Sequence, residues 1–360
     1  MNAIENAFDH PDFYMSSLTD TINLAPVHVP QSREKIFKIK RVKTRVVAFE
    51  ENNGLLKLIK SGDPRNHDNY LNKSKRKVRF FEVPIFPLND TIEPEEVQDL
   101  KGFGVKALQG KAKLVLERIT LLKTSHKYTQ SFLKMGAIKG VIYDADGSVL
   151  YDLFDEFSIT KKIVNFELDK EDTDVSEKCR MLTRHMEDHI RGDRFEKVKV
   201  EVSEEFFDKL VAHPSVKEIY LGHKGAVAKF GGDNRKNFEI NNVIFSENRE
   251  KHIPEDEDAE PLRFVDANKG HAYPTKTTNT FYHVLAPAKF NEVVNTEGKE
   301  FYAKIKVEDF DIGYTLHTQS AALPLSVRPR CLIEVHAMLL EESPTENSGA
   351  SDNPNPDENE

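Results

Sequence analysis

Apolar and polar positions along the chain predict an open N-terminal part and a denser remainder. Among residues 1–30, Phe13, Met15, Leu18, Ile22 and Leu24 fall at the spacing of one short helix. Pro26 and Pro30 then force extended chain. This stretch reads as an arm lying on a surface rather than as a core. Residues 44–49 (TRVVAF) and 55–59 (LLKLI) read as strands, with a turn signal at Asn52-Asn53-Gly54 between them. A polar tract covers 60–74, and residues 75–86 (KRKVRFFEVPIF) alternate as a strand again. Together these segments predict a long two- or three-stranded projection, rich in Lys and Arg and marginal by itself in water.

Glu93-Pro94-Glu95-Glu96 reads as a helix start, with Pro at an early position and carboxylates in the first turn. Ala112, Val115, Ile119, Leu122, Phe132 and Met135 then recur at helical spacing. The pattern predicts one long helix with a modest apolar stripe, its first half weakened by Gly102, Gly104 and Gly110. Residues 140–157 (GVIYDADGSVLYDLFDEF) predict a hairpin turning at Asp146-Gly147. Residues 173–190 predict a helix capped by Thr173 or Asp174, and Ser203 caps another that ends before Pro214. Residues 216–221 fit helix or strand. Strands are expected at 195–202, 238–245, 262–265, 281–285 and 332–335. The mixture after residue 140 gives an α+β fold class.

Composition narrows the function. The 360 residues carry 38% hydrophobic residues, enough for a sizeable core in one large or two modest domains, and a formal net charge of −9, which argues against nucleic-acid binding by the whole surface. The charge is uneven. Residues 33–79 hold fifteen Lys or Arg against five Asp or Glu, whereas 254–260 (PEDEDAE) and the stretch after Leu340 are acidic. That last stretch has no basic residue and almost nothing apolar, and is expected to be disordered. Cys179 and Cys331 lie far apart and make neither a metal pattern nor a disulfide framework, which fits a reducing cytoplasm. The N-terminus lacks a signal-peptide pattern, and no run approaches the roughly 20 apolar residues of a membrane span.

The motifs that might carry chemistry are weak. His185 and His189 stand four apart on an expected helix, a spacing that can hold zinc, but no third ligand is apparent. Gly102-Phe-Gly104-Val-Lys-Ala107 matches a loose dinucleotide pattern without the strand that must precede it. Asp144-Ala-Asp146-Gly147 lacks the glycine and glutamate spacing of a calcium loop and reads as a turn. No nucleophile elbow or phosphate loop is present, so no catalytic, metal or cofactor residue is assigned and an enzyme is not expected. The basic run around Lys73, Lys75, Arg76, Lys77 and Arg79 leaves three readings open: contact with an acidic protein surface, contact with phosphates, or protection of a strand edge.

Four stretches, in order, carry a resemblance. They are 75–87 (KRKVRFFEVPIFP) leading into Leu88-Asn-Asp-Thr-Ile92, 133–157 (LKMGAIKGVIYDADGSVLYDLFDEF), 290–303 (FNEVVNTEGKEFYA) and 317–328 (HTQSAALPLSVR). With the order of elements, they resemble the major capsid proteins of tailed bacteriophages, in particular the lambda-type capsid protein E family, from about residue 10 to about residue 338. The resemblance implies the capsid fold shared by tailed phages and herpesviruses. It implies an N-terminal arm over 1–42, an extended β-hairpin loop over 43–88 and a spine helix over 93–136. A peripheral domain would take 137–165 and 286–338, an axial domain 166–285, and 339–360 would be a disordered acidic tail. Copies would form pentamers and hexamers that close into an icosahedral shell in the host cytoplasm and remain in the virion. Implied partners are a scaffold protein, a portal, in some cases a decoration protein, and double-stranded DNA enclosed without sequence-specific binding; no membrane is implied. Lys57, Lys73, Lys75, Arg76, Lys77 and Arg79 would contact a neighbouring subunit. The alternative is a nucleic-acid-binding protein that uses the basic 33–79 segment.

Overall fold

The computed structural model describes residues 14–25, 33–51, 77–98, 105–222, 234–252 and 261–338. The chain enters as α1 (Met15–Leu24), which buries Leu18 and Ile22 as helical spacing requires and leaves Leu24 exposed. Phe13, the first apolar residue of the expected helix, lies outside the described residues. Strand β1 (Lys38–Arg41) follows, then β2 (Val46–Glu51) and β3 (Lys77–Glu82). β2 pairs antiparallel with β3, from Val46 opposite Glu82 to Glu51 opposite Lys77. The expected strand 55–59 and its turn lie outside the described residues. The expected strand 75–86 is divided at Val83-Pro84: Pro has no N–H for the ladder, and the chain re-enters a different sheet as β4 (Ile85–Ile92).

Of the long helix expected from Glu93, two stretches are described, and residues 99–104 between them lie outside the described residues. α2 (Pro94–Gln98) has Pro at its first position and Glu95 and Glu96 in its first turn, and α3 (Val105–Lys139) runs 35 residues, about 52 Å. Residues 102–104 of the loose glycine motif lie outside the described residues. The buried stripe of α3 includes Val115, Ile119 and Leu122 and continues through the polar His126 and Gln130 to Leu133. His126 meets Thr318 Oγ1 at 2.9 Å and Gln130 donates to Ser320 Oγ at 3.0 Å, so one strand gives both residues a partner, while Gln130 Oε1 is left without one. Gly140 ends α3 at φ 85°, its N–H donating to Gly136 O at 2.8 Å; a Cβ there would lie 2.3 Å from the Phe154 ring.

The hairpin expected at 140–157 is β5 (Val141–Tyr143) and β6 (Val149–Asp152), with Asp144 to Ser148 as its turn, and short α4 (Leu153–Glu156) is capped by Asp152. Strand β7 (Lys162–Asn165) leads to α5 (Val175–His189), whose cap is Asp174, accepting from Glu177 N at 3.1 Å. Then come β8 (Val198–Val202), α6 (Glu204–Ala212) capped by Ser203, and α7 (Pro214–Gly222). The ambiguous 216–221 is therefore helix, with Pro214 at its first position. The single strand expected at 238–245 is a hairpin, β9 (Phe238–Ile240) and β10 (Val243–Glu247), because Asn241 and Asn242 both take positive φ (46° and 69°) and reverse the chain.

The remaining strands are β11 (Lys251–His252), β12 (Leu262–Arg263), β13 (Lys269–Pro274), β14 (Phe281–Leu285), β15 (Tyr302–Val307), β16 (Tyr314–Ser326) and β17 (Ile333–His336). Two sheets organise the chain. One has six strands in the order β7-β17-β13-β8-β10-β9, covered by α5 and α6 over a core that includes Phe166, Phe206, Phe245 and Met186. The other is built on the 13-residue β16, which pairs with β15 and β4 along its first part and with β14 further on; β1 adds parallel to β14. Its neighbours α3, β2–β3 and β5–β6 share a second core containing Phe81, Val83, Leu133, Ile142 and Phe281. A third, smaller core joins α1, the early part of α3, β4, β15 and β16. Among the described residues no helix is long and apolar enough to cross a membrane.

Candidate assembly surfaces

The β2–β3 ladder has two unlike faces, as strand alternation dictates. Val47, Phe49 and Phe81 point into the core, where the Phe49 and Phe81 rings meet edge to face at 6.3 Å. On the opposite face Val46, Val78 and Phe80 are exposed by 51%, 46% and 68%. A second apolar group lies at the turn between β15 and β16: Phe310 is 96% exposed and Ile312 67%. Phe310 sits there at φ 65°, a conformation a bulky residue rarely adopts, with no burial to offset it. Scattered exposed apolar residues are ordinary. A Phe-centred row on a ladder and a wholly exposed Phe on a turn are candidate interaction surfaces.

The basic segment does not behave as one patch. Arg33 is buried, its guanidinium on Glu201 Oε2 at 2.7 Å, on Glu250 Oε2 at 2.7 Å and on Ser131 Oγ at 3.0 Å. Burial works against its charge, yet Glu201 and Glu250 outweigh burial and hold the guanidinium charged more firmly than usual. Burial likewise opposes the Glu201 charge, but Arg33 and Lys199 keep it well below the usual carboxylate range; Tyr273 Oη at 2.9 Å and Asn248 Nδ2 at 2.7 Å also donate to it. Arg41 donates to Gly298 O at 3.0 Å, Lys40 lies 4.0 Å from the centre of the Phe49 ring, and Arg45 pairs with Glu82 at 2.7 Å. Much of the described part of the basic excess is therefore spent inside the chain.

Of the residues expected to contact a neighbour, Lys57, Lys73, Lys75 and Arg76 lie outside the described residues. Lys77 begins β3, and nothing of its side chain is described. Arg79 faces its own chain: its guanidinium lies 4.5 Å from the Phe157 ring centre and donates to Glu156 O. The ladder's exposed apolar row was not singled out from sequence. Its signal was present in the alternation of VRFFE, where every second residue faces away from whatever buries Phe81.

The other motifs resolve as structure. His185 Nε2 donates to Arg330 O at 3.0 Å and His189 Nδ1 donates to His185 O at 2.8 Å, with the rings stacked at 4.2 Å. Stacked rings do not direct one nitrogen each at a common ion, and among the described residues no three His, Cys, Asp or Glu gather as a metal site. Both cysteines are buried thiols, their pKa pushed up to about 12 by burial, and neither is a nucleophile.

Two sheets, a 35-residue helix and an apolar-faced ladder make up the described fold. A crystal structure of a candidate capsid protein from a prophage of E. coli CFT073 matches it with a TM-score of 0.55 at 12% identity, over 90% of this chain and 99% of that one. The model of the family described as phage major capsid protein E matches residues 14–337, and the chain belongs to that family. A major capsid protein of Pseudomonas phage KPP10 is 30% identical over 84% of this chain and 89% of its own length. A major capsid protein of Salmonella phage Felix O1 is 27% identical over 71% of this chain and 77% of its own. The chain is thus a major capsid protein of a tailed phage, a structural component of the virion and not an enzyme. The nucleic-acid-binding alternative finds no support in the family or in the internally paired Arg33, Arg41 and Arg45.

Proposed function

We propose that copies of this chain assemble as pentamers and hexamers into an icosahedral shell around packaged double-stranded DNA. Residues 1–42 act as an N-terminal arm, 43–88 as an extended loop and 93–136 as a spine. Residues 137–165 with 286–338 form a peripheral domain, and 166–285 an axial domain. The loop lies over a neighbouring subunit. There Lys57, Lys73, Lys75, Arg76 and Lys77 meet carboxylates of the neighbour, fixing register more than adding affinity, while Arg79 stays on Phe157 and Glu156 of its own chain. A scaffold protein and a portal guide assembly in the host cytoplasm, and a decoration protein is compatible with the exposed surface.

The observation that carries this reading is the exposed row of Val46, Val78 and Phe80 on the ladder within residues 43–88. A contiguous exposed apolar row of this kind marks a protein–protein interaction surface. The test is charge reversal at Lys75, Arg76 and Lys77 together, under conditions where the unsubstituted chain forms shells. Open or absent shells with a normally folded subunit are expected. Normal closed shells would remove the loop's basic residues from the contact.

A further inference from the structure

Away from the ladder and the β15–β16 turn, one pocket has an unusual lining. It lies where the N-terminus of α5's neighbouring strand β7 meets α5 and the turn before β17, and its volume is about 470 Å³. Lys161, Lys162, His185, His189 and Arg330 line it, and none of the residues lining it is an Asp or a Glu. Lys161 is partly neutralised by an ion pair with Glu334. Among the described residues, Lys162 and Arg330 make no ion pair, and both are exposed. The hydrogen bonds from His185 to Arg330 O and from His189 to His185 O fix the two rings as a wall of the pocket. The walls are held, while two of the cations remain unmatched.

A site of this kind takes an anionic occupant. The chain carries one of its own. Residues 341–360 contain seven Asp or Glu and no Lys or Arg. The described part ends at Met338, eight residues after Arg330, so their separation is less than about 30 Å. The 22 residues after Met338 can span about 75 Å when fully extended. The acidic segment is therefore long enough to reach the pocket of its own chain, and the covalent link would raise its effective concentration there above that of a free anion.

We propose that the acidic segment 341–360 docks in this pocket of its own chain, with its carboxylates on Lys162 and Arg330. The proposal does not depend on shell formation, and it assigns the segment an intramolecular site. Docking would cover a cationic pocket that would otherwise compete for phosphates, leaving an undocked pocket as the cost of removing the segment.

Zero-length carbodiimide coupling of the dilute full chain, read by mass spectrometry, tests this. Lys127–Glu300 at 2.6 Å and Lys304–Glu292 at 2.5 Å serve as internal standards of folding. The expected result is coupling of Lys162 to carboxylates within 341–360. That coupling should fall about tenfold at roughly 0.5 M salt, where the screening length is only a few ångströms. It should fall similarly in Arg330→Glu, which leaves Lys162 as reporter, and in the triple variant Asp357→Asn, Glu358→Gln, Glu360→Gln. If the standards couple while Lys162 does not, the proposal is overturned. Unchanged yield in Arg330→Glu overturns it as well. So does protection of Lys162 by inorganic phosphate with no coupling to the segment, which would make the pocket a phosphate site.

Discussion

The six-stranded sheet and the β2–β3 ladder bury aromatic residues in opposite proportions. Between the sheet and its helices, Phe166 after β7, Phe206 of α6 and Phe245 of β10 are all fully buried, with ring centres 5.5–6.5 Å apart. In the ladder, adjacent Phe80 and Phe81 part company: Phe81 is 1% exposed and Phe80 68%. The sheet completes its core with residues of one chain. The ladder completes only half, and the other half is available to a neighbour. A capsid subunit needs both kinds of region, one to fold by itself and one that is finished by assembly.

The largest expected effect is on the closed region. Phe245→Ala should cost about 3–5 kcal/mol in chemical unfolding of the subunit. A loss below about 1 kcal/mol would mean that the sheet is not the self-sufficient core described. Arg33→Met comes next. It leaves Glu201 charged, buried and without its main cation, so about 3–5 kcal/mol should be lost. Arg33→Met with Glu201→Leu should recover much of it, because burying the pair is itself costly. A double variant no more stable than the single would show that the network, rather than the stranded charge, supplies the stability.

Acid sharpens the comparison in the same direction. Burial holds the pKa of His126 down to about 4 and that of His271 down to about 3. Each folded pKa lies below the unfolded value, so the stability these neutral rings contribute is present above about pH 6.5 and is lost as pH falls through 4 and 3. Glu334, buried and brought to about 2 by His336 and Lys161 against its burial, adds a further loss below about pH 4.5. Urea midpoints measured from pH 8 to pH 3 should therefore fall steadily below pH 6.5. A midpoint constant down to pH 4 would contradict the neutral buried histidines. A smaller effect, about 1 kcal/mol, is expected for Asp174→Ala at the α5 cap. The smallest is Phe80→Ser, which should leave subunit stability within about 0.5 kcal/mol while impairing assembly.

What was legible in the sequence was local. The Asp146-Gly147 turn, the Asp174 and Ser203 caps and the stripe from Val115 to Leu122 each depend on neighbours a few residues away. The resemblance located the family through four short stretches. What escaped was non-local. β16 reads YTLHTQSAALPLS, with Thr318, Gln319 and Ser320 inside it, because strands flank it on both sides and α3 covers its polar positions with His126 and Gln130. Arg33 was counted with a basic surface, although its partners Glu201 and Glu250 stand 168 and 217 residues away. Nothing in a single sequence signals such a pair. The Asn241-Asn242 turn, by contrast, was readable: the alternation of Phe238 and Ile240 breaks at the two Asn and resumes out of phase at Val243 and Phe245.

The claim that the ladder's outer face is finished by a neighbour is tested most directly by electron microscopy of Phe80→Asp with Val78→Asp, under conditions where the unsubstituted chain forms shells. The account predicts a subunit with unaltered circular dichroism and unfolding midpoint that yields no closed shells. Closed shells of normal size and number from that variant would contradict it.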